Sequence, residues 1–505
     1  MIFDNNILQI LLRSVYVAVM TSIGATYFGC FIAWLNYKSY YLFRIARYFI
    51  ILLYFIPAQI YILAIIQSLS LLKGYAFTNN LIESLYSCNG IIAVSIILNT
   101  PISVLIFETN LKYIDTTLIK LAYINRATSR DIFAKIILPL LKPTIYKIKF
   151  LIFVSCFGNL SIPYILGRSK QIEFFVPYLV NKLKSLSPYT VIDIYFILLV
   201  SLILILLGYA LNKHDYKSIF YNGAYKPYTN SSTSLQIDCS LIYLLFRSLL
   251  VWGFIVLTII LPLVILILNS FVDKYHSLHF SGNLKVFGLQ NYYLLFSDTN
   301  LLTKPILRTL ITSFVVFTLL FSTSLFLEFL KRIKKNSTLT NFIGSLGAIF
   351  YTLPSIFLAI LIIYFFPVSE LSFFNLQLNL GLVLAYLLRF YWPMNQIITT
   401  ITEQLPAIIF NITYLYTNNN FLIFFRIYLP LVIKIVIPAF LFILIVIFKE
   451  LNISILLTDY NNISVAPVLF NLFESGEFNL ASAYAVLLLI LIYLCAFIMQ
   501  AALSK

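Results

Sequence analysis

Charged residues are scarce in this sequence, and their scarcity excludes a soluble globular protein. Only 10% of the 505 residues are Asp, Glu, Lys or Arg, whereas 61% are hydrophobic. Soluble domains carry roughly 25% charged and about 45–50% apolar residues. The composition therefore predicts an all-α, polytopic membrane protein.

Glycine and histidine are also few, which argues against two kinds of active site. Among 15 glycines there is no G-x-x-x-x-G-K-[ST] phosphate loop, so we expect the chain to hydrolyse no nucleotide by itself. The three histidines, His214, His276 and His279, are too scattered for a metal cage. We therefore expect no enzyme activity, no cofactor and no metal site.

The five cysteines predict no disulfide framework. Cys30, Cys156 and Cys495 fall inside predicted spans, whereas Cys88 and Cys239 fall on opposite sides of the membrane. Acidic residues are few as well, and the formal net charge is +16. Most of this excess lies in short loops on one side of the membrane, so positive-inside topology explains it without a nucleic-acid partner.

About eleven apolar segments are long enough to cross a hydrocarbon core of about 30 Å. The Lys and Arg distribution in their loops predicts an external N-terminus and a cytoplasmic C-terminus. The predicted spans are 13–36, 46–68, 90–108, 144–165, 190–211, 244–269, 305–328, 341–366, 378–398, 432–456 and 480–502.

A helical elbow that ends in Leu-Pro occurs twice, on the predicted cytoplasmic side. The copies are AYINRATSRDIFAKIILPLLKP (122–143) and TYLYTNNNFLIFFRIYLPLVIK (413–434). In each copy the apolar residues recur at i, i+3, i+4 and i+7, which predicts an amphipathic helix that runs into a span. Thr128 to Asp131 predicts a capping box in the first copy, and Asn418 to Asn420 take that place in the second. Asp115 and Pro406 are predicted to start a preceding short helix in each copy.

Other features recur about 290 residues apart, which predicts two homologous halves. Leu12-Arg13-Ser14 matches Leu307-Arg308-Thr309, and Pro57, Pro101 and Pro139 match Pro354, Pro393 and Pro430. We predict a first half at 1–211 with about five spans and its elbow at 115–143. A polar cytoplasmic linker follows at 212–243. The second half is predicted at 244–505, with about six spans and its elbow at 403–434. A parallel repeat places a substrate path between its halves.

The elbow resembles the EAA loop of binding-protein-dependent ABC importer permeases. That loop runs E-A-A, three residues, G, and about nine residues to I-x-L-P. Ala122 is the one residue of the triplet present in the first copy, and the glycine is absent from both copies. The resemblance implies the type I ABC importer permease fold, with elbows that dock on a separate ATPase subunit. The elbow residues implied in this coupling are Ala122, Arg126, Ala127, Thr128, Phe133, Ile136, Leu138, Pro139, Thr417, Asn418, Asn419, Phe424, Ile427, Leu429 and Pro430. A solvated helix pair lying on the lipid headgroups is the alternative interpretation.

Three further segments are similar to fused ferric iron permeases. FVSCFGNLSIPYILG (153–167) resembles their D-F-G…L-G segment, and IFKELNISILL (447–457) resembles their K-E-L-P-x-T-x-L-L segment. FGLQNYYLLF (287–296) resembles their F-x-L-x-N-Y segment. The resemblance implies ferric iron as cargo, two copies of an ATPase subunit inside, a solute-binding protein outside, and a bacterial inner membrane location.

Polar residues inside two spans are candidates for the substrate path, because intramembrane charges usually pair or face a cavity. Simple hydrogen bonding between helices is the alternative. The candidates are Asn159, Ser161, Lys449, Glu450, Asn452 and Ser454. Glu108 and Glu328 lie near span ends, where snorkelling or loop contacts are sufficient. Thiamine, phosphonate and polyamine remain alternative cargoes, and an ion-driven secondary transporter is the alternative of another class.

Overall fold

The computed structural model is helical, and the described part of the chain contains one isolated antiparallel bridge, between Val272 and Phe287. The described residues are 5–36, 41–71, 76–112, 114, 118, 121–122, 124–184, 197, 199–207, 241–273, 287–333, 338–365, 379–404, 419–458 and 462–503. Most of the predicted linker lies outside them. By packing, the chain forms two compact units, Met1–Leu268 and Asn269–Lys505.

The first unit is built around a long first helix that packs mainly against two others, α5 and α7. A last helical segment runs from Leu241 to Ser270 and contains a π-helical turn at Val256–Ile260. It belongs to the first unit as far as Leu268. The helices are α1 (Asn5–Asn36), α2 (Tyr41–Phe55), α3 (Ala58–Leu71), α4 (Ala76–Leu85), α5 (Cys88–Lys112), α6 (Ser129–Ile132), α7 (Leu138–Phe157), α8 (Ser161–Arg168), α9 (Phe175–Lys184), α10 (Leu241–Ile255) and α11 (Leu261–Ser270).

The second unit is built around its own long helix, α13, which packs mainly against α16 and α19. Its helices are α12 (Gln290–Ser297), α13 (Thr303–Ile333), α14 (Thr338–Thr352), α15 (Ser355–Phe365), α16 (Leu380–Gln404), α17 (Asn420–Ile423), α18 (Leu429–Val432), α19 (Val436–Lys449), α20 (Ser454–Leu457), α21 (Val465–Glu474) and α22 (Phe478–Leu503).

Among the described residues, six helices are long and apolar enough to cross a membrane, or up to nine spans if each of three bent helix pairs counts as one. The chain is therefore a multi-pass membrane protein with an all-α fold. The unbroken candidates are Ile7–Leu35, Cys88–Leu111, Ser248–Ser270, Thr303–Lys331, Asn420–Lys449 and Phe478–Ala502. Helix α16 covers the ninth predicted span, and the fifth predicted span is helical where it is described, at 199–207.

The predicted spans at 46–68, 144–165 and 341–366 each coincide with a bent helix pair. These segments bend by 109°, 52° and 104° at short breaks. Pro57 and Pro354 stand at the first and third breaks, where the missing proline N–H interrupts the helical ladder. A candidate span also lies at the predicted 432–456, but it begins earlier, at Asn420, and ends earlier, at Lys449.

Close packing of α1 on α5 depends on glycine. A Cβ atom on Gly29 would collide with the Ser103 side chain and press on the backbone nitrogen of Val104, and one on Gly24 would collide with Ile96. Protein interiors are packed too densely to absorb such atoms freely. These glycines therefore let the two helices approach.

Two buried carboxylates correct the expectation of snorkelling at the span ends. Glu108 on α5 forms an ion pair with Arg47 on α2, 2.8 Å away. Glu328 on α13 lies 3.4 Å from the hydroxyls of Thr399 and Thr402 on α16. Both carboxylates are buried between helices. Each has polar partners there, because burying an unpaired charge is costly.

Candidate functional site

The first elbow starts with a turn whose backbone is left-handed at Arg126, where φ is 58°. The Ala127 N–H donates to the Ala122 carbonyl over 3.0 Å, across this residue. That is the bond of a Schellman helix end, in which glycine normally takes the left-handed position. Arg126 stands where the EAA pattern has its glycine, so the conformation is kept although the glycine is not.

Thr128 caps the helix that follows this turn. Its Oγ1 accepts the Asp131 N–H at 3.2 Å and donates to the Asp131 carboxylate at 2.6 Å. Lys135 Nζ lies 2.9 Å from the same carboxylate. The Thr128 hydrogen bond, and then Lys135, lower the pKa of Asp131 to about 2. The predicted capping box is confirmed.

The second elbow helix is capped by Asn419, whose side-chain oxygen accepts the Phe421 N–H at 3.0 Å. The segment before it, 405–418, lies outside the described residues, as does Asp115 in the first elbow. The proposed roles of Asp115, Pro406, Thr417 and Asn418 therefore stay predictions.

Each elbow helix is held to the first long helix of its own unit by an aromatic pair. Phe133 packs on Trp34 of α1 with ring centroids 4.8 Å apart. Phe424 packs on Phe329 of α13 at 4.9 Å. Aromatic contacts of this kind add about 0.5–1.5 kcal/mol to simple burial. Trp34 and Phe329, which sequence reasoning missed, occupy matching positions of the two long helices.

The Leu-Pro step of each elbow follows a π-helical turn, at Phe133–Ile137 and Phe424–Tyr428. In each turn the N–H of the leucine before the proline bonds to the carbonyl five residues earlier. Both helices continue past Pro139 and Pro430, which are exposed, whereas Ile136, Leu138, Ile427 and Leu429 are half-buried.

A third π-helical turn precedes Leu261 and Pro262, outside both elbows. A wider turn before a proline relieves the clash that its ring makes with the preceding carbonyls in an α-helix. The π turn is therefore not specific to the elbows.

Beyond each elbow helix the chain breaks at a polar junction. In the first unit, Asn159 accepts the Ile162 N–H at 3.1 Å and so starts α8. The buried Ser161 hydroxyl donates to Gln59 Oε1 at 3.5 Å. Gln59 lies just after the break at Pro57. Two bent helix pairs therefore meet at this contact.

The second unit has a matching junction. Asn452 Nδ2 donates to the Ser355 hydroxyl at 2.9 Å, and Ser355 directly follows Pro354. Ser454 is buried and donates to the Glu450 carbonyl at 2.6 Å. The structure thus brings Asn159, Ser161, Asn452 and Ser454 to the breaks of their units. It adds Gln59 and Ser355, for which the matching prolines were the available signal.

The second junction carries charges that the first lacks. Lys449 ends α19 and Glu450 follows it, whereas the first unit has Cys156 and Phe157 at the matching places. Glu450 lies close enough to Lys449 and to the buried Tyr386 phenol to interact electrostatically with both. One Glu450 carboxylate oxygen, Oε1, is buried and accepts no hydrogen bond from the described residues.

Arg389 supports the neighbouring break and was also missed by sequence reasoning. From α16 it donates to the carbonyl of Tyr351 at 2.7 Å and to that of Leu353. These carbonyls lie at the end of α14, where the helical ladder stops, so the guanidinium satisfies groups that a membrane cannot. Among the described residues, no group of three or more His, Cys, Asp or Glu side chains could hold a metal ion.

Residues 25–217 match the family model described as "Binding-protein-dependent transport system inner membrane component". The match covers 193 of the 505 residues and indicates that this part of the chain is similar to the permease subunit of an ABC importer. It contains the first elbow and the first junction. Permeases of this family normally work with an ABC ATPase and a binding protein. No curated protein matches this chain.

Proposed function

We propose that this chain forms the translocation path of an ATP-driven importer, with two fused permease halves as one unit. Two copies of a separate ATPase subunit would bind the elbows in the cytoplasm of a bacterium. A solute-binding protein would deliver cargo from outside the inner membrane.

The family match over residues 25–217 is the observation that carries this proposal. The second elbow lies outside the match, yet it repeats the aromatic contact and the polar cap of the first. Repetition of these contacts favours the docking role over a helix pair that merely lies on the lipid headgroups.

Ferric iron is the proposed cargo. The similarity of segments 153–167, 287–296 and 447–457 to fused ferric iron permeases supports this assignment. The Glu450 carboxylate is consistent with it, because a buried oxygen that accepts no hydrogen bond from the described residues would interact favourably with a passing cation.

Uptake into proteoliposomes tests the cargo. The protein is reconstituted with its ATPase subunit and binding protein, and labelled ferric iron, thiamine, a phosphonate and a polyamine are compared. ATP-dependent uptake of iron alone supports the assignment. Uptake of one of the other three without iron would overturn the iron assignment and leave the importer assignment standing.

The same assay tests whether Glu450 faces the path. Glu450→Gln should reduce uptake without lowering the amount of protein in the membrane, since a glutamine keeps the shape and removes the charge. Loss of membrane protein in the same variant would instead make Glu450 a buried structural partner.

A further inference from the structure

The first long helix of each unit is held in the same way at both of its ends. At one end lies the aromatic contact with the elbow, Trp34 with Phe133 or Phe329 with Phe424. At the other end a hydroxyl binds a short helix. The second contact is not part of the function proposed above.

Ser14 on α1 accepts the N–H of Phe175, the first residue of α9, at 2.8 Å. It also donates to the Ile10 carbonyl of its own helix at 2.9 Å. Ser14 and Phe175 are both buried. The hydroxyl therefore serves α9 as a helix cap supplied by another helix.

Thr309 on α13 makes the same two bonds in the second unit. It accepts the N–H of Val465, the first residue of α21, at 3.2 Å, and donates to the Pro305 carbonyl at 2.8 Å. Ser464 stands at the N-cap position of α21, but its own side chain does not cap the helix. Thr309 thus does what the local serine does not.

The two short helices correspond in sequence as well as in their cap. FVPYLVNKLK and VAPVLFNLFE share a proline at the third position, a leucine at the fifth and an asparagine at the seventh. These pairs are Pro177 and Pro467, Leu179 and Leu469, and Asn181 and Asn471. The matching Ser14 and Thr309 therefore have a structural cause, which is the need to start a helix that has no cap of its own.

The two contacts of each long helix are equally spaced. Twenty residues separate Ser14 from Trp34 and Thr309 from Phe329, which is about 30 Å along a helix. A helix of this length transmits a shift at one end to the other because its backbone is hydrogen-bonded throughout. Each long helix thus connects an elbow to a short helix on the opposite side of the predicted membrane.

We propose that α1 and α13 are rods that couple the elbows to α9 and α21, and that Ser14 and Thr309 are the positioning residues at their far ends. This inference rests on the proposed importer function. Movement of an elbow would then move the short helix of the same unit, and binding of a loaded carrier near the short helix would be felt at the elbow.

Carrier-stimulated ATP hydrolysis by the reconstituted complex tests the rod. Ser14→Ala should reduce the stimulation about fivefold, as expected for loss of one cap, with basal hydrolysis and membrane amount unchanged. Thr309→Val should do the same. Ser14→Thr and Thr309→Ser exchange the residues found in the two units and should retain the stimulation. Ser22→Ala and Thr318→Val are the controls, because within the part of the chain that the structure describes these hydroxyls bond only to carbonyls of α1 and α13, and they should have no effect.

A double-mutant cycle between the ends of α1 gives the sharpest result. If Ser14→Ala and Trp34→Leu interrupt one rod, the double variant should lose little more than either single variant. Fully additive losses, or normal stimulation in Ser14→Ala and Thr309→Val, would overturn the proposal. Faster hydrogen exchange of the Phe175 amide in Ser14→Ala checks the cap in the permease alone, so it remains decisive for the cap if no ATP-driven uptake is found. Unchanged exchange there would refute the cap.

Discussion

Asn452 donates a hydrogen bond to Ser355 over 2.9 Å and so joins two breaks in the second unit. One break follows Lys449, the last residue of α19, and the other lies at Pro354 between α14 and α15. A matching contact joins Ser161 to Gln59 in the first unit. Broken helices expose backbone groups that lipid cannot satisfy, so such polar junctions belong where protein or a cavity surrounds them.

Removal of the Asn452 amide should weaken the second junction. Asn452→Ala is expected to lower the free energy of unfolding by about 1 kcal/mol, the usual net value of one hydrogen bond. Thermal unfolding of the detergent-solubilised protein measures the effect. Since the partner is Ser355, a cycle with Ser355→Ala should show coupling, and strictly additive effects would mean that the two side chains do not interact.

Arg126→Gly should stabilise the turn of the first elbow. A left-handed residue with a Cβ costs roughly 1–2 kcal/mol, and glycine removes this cost. Slower hydrogen exchange of the Ala127 amide in Arg126→Gly is the expected result. Arg126→Ala serves as the control, because alanine loses the guanidinium but keeps the strain. Equal slowing in both variants would show that the charge, and not the backbone, matters.

Gly29→Ala should destabilise the first unit by separating α1 from α5. The added methyl has no free space, and overpacking of this kind typically costs about 1–3 kcal/mol. Gly253→Ala is the matched control, since a Cβ at Gly253 meets nothing within 4 Å and alanine favours the helix. An equal decrease in the midpoint temperature of thermal unfolding in both variants would contradict the close approach of α1 and α5.

Salt should weaken the contact of the first elbow with the ATPase more than that of the second. Residues 120–135 of the first elbow hold Lys120, Arg126, Arg130 and Lys135 against Asp131, whereas residues 411–426 of the second hold Arg426 as their one charged residue. Screening reduces charge interactions and leaves apolar burial largely intact. Crosslinking of each elbow to the ATPase over a salt series measures this difference, and equal salt sensitivity would refute it.

The local features of the elbows could be predicted from the sequence. Their apolar stripe, the Thr128 capping box and the repeated Phe133 and Phe424 depend on neighbours within a few residues, which a helical pattern reveals. The left-handed Arg126 could not be predicted in this way, because the sequence signal for that conformation is glycine.

The long-range contacts could not be predicted. Gln59 meets Ser161, and Ser14 meets Phe175, only after helices far apart in sequence have packed. The bends in three spans could not be predicted from hydropathy. An apolar stretch predicts a membrane segment, but its hydropathy carries no signal for a turn within it. The prolines at 57 and 354 marked two of these turns.

The energy source of uptake tests the importer assignment most directly. Proteoliposomes that contain the permease, its ATPase subunit and its binding protein are loaded with ATP or with a non-hydrolysable analogue, and uptake of labelled cargo is measured with and without an imposed proton or sodium gradient. The account predicts uptake that requires ATP hydrolysis and persists when the gradients are abolished. Uptake that follows an ion gradient and proceeds without ATP would contradict it and establish a secondary transporter instead.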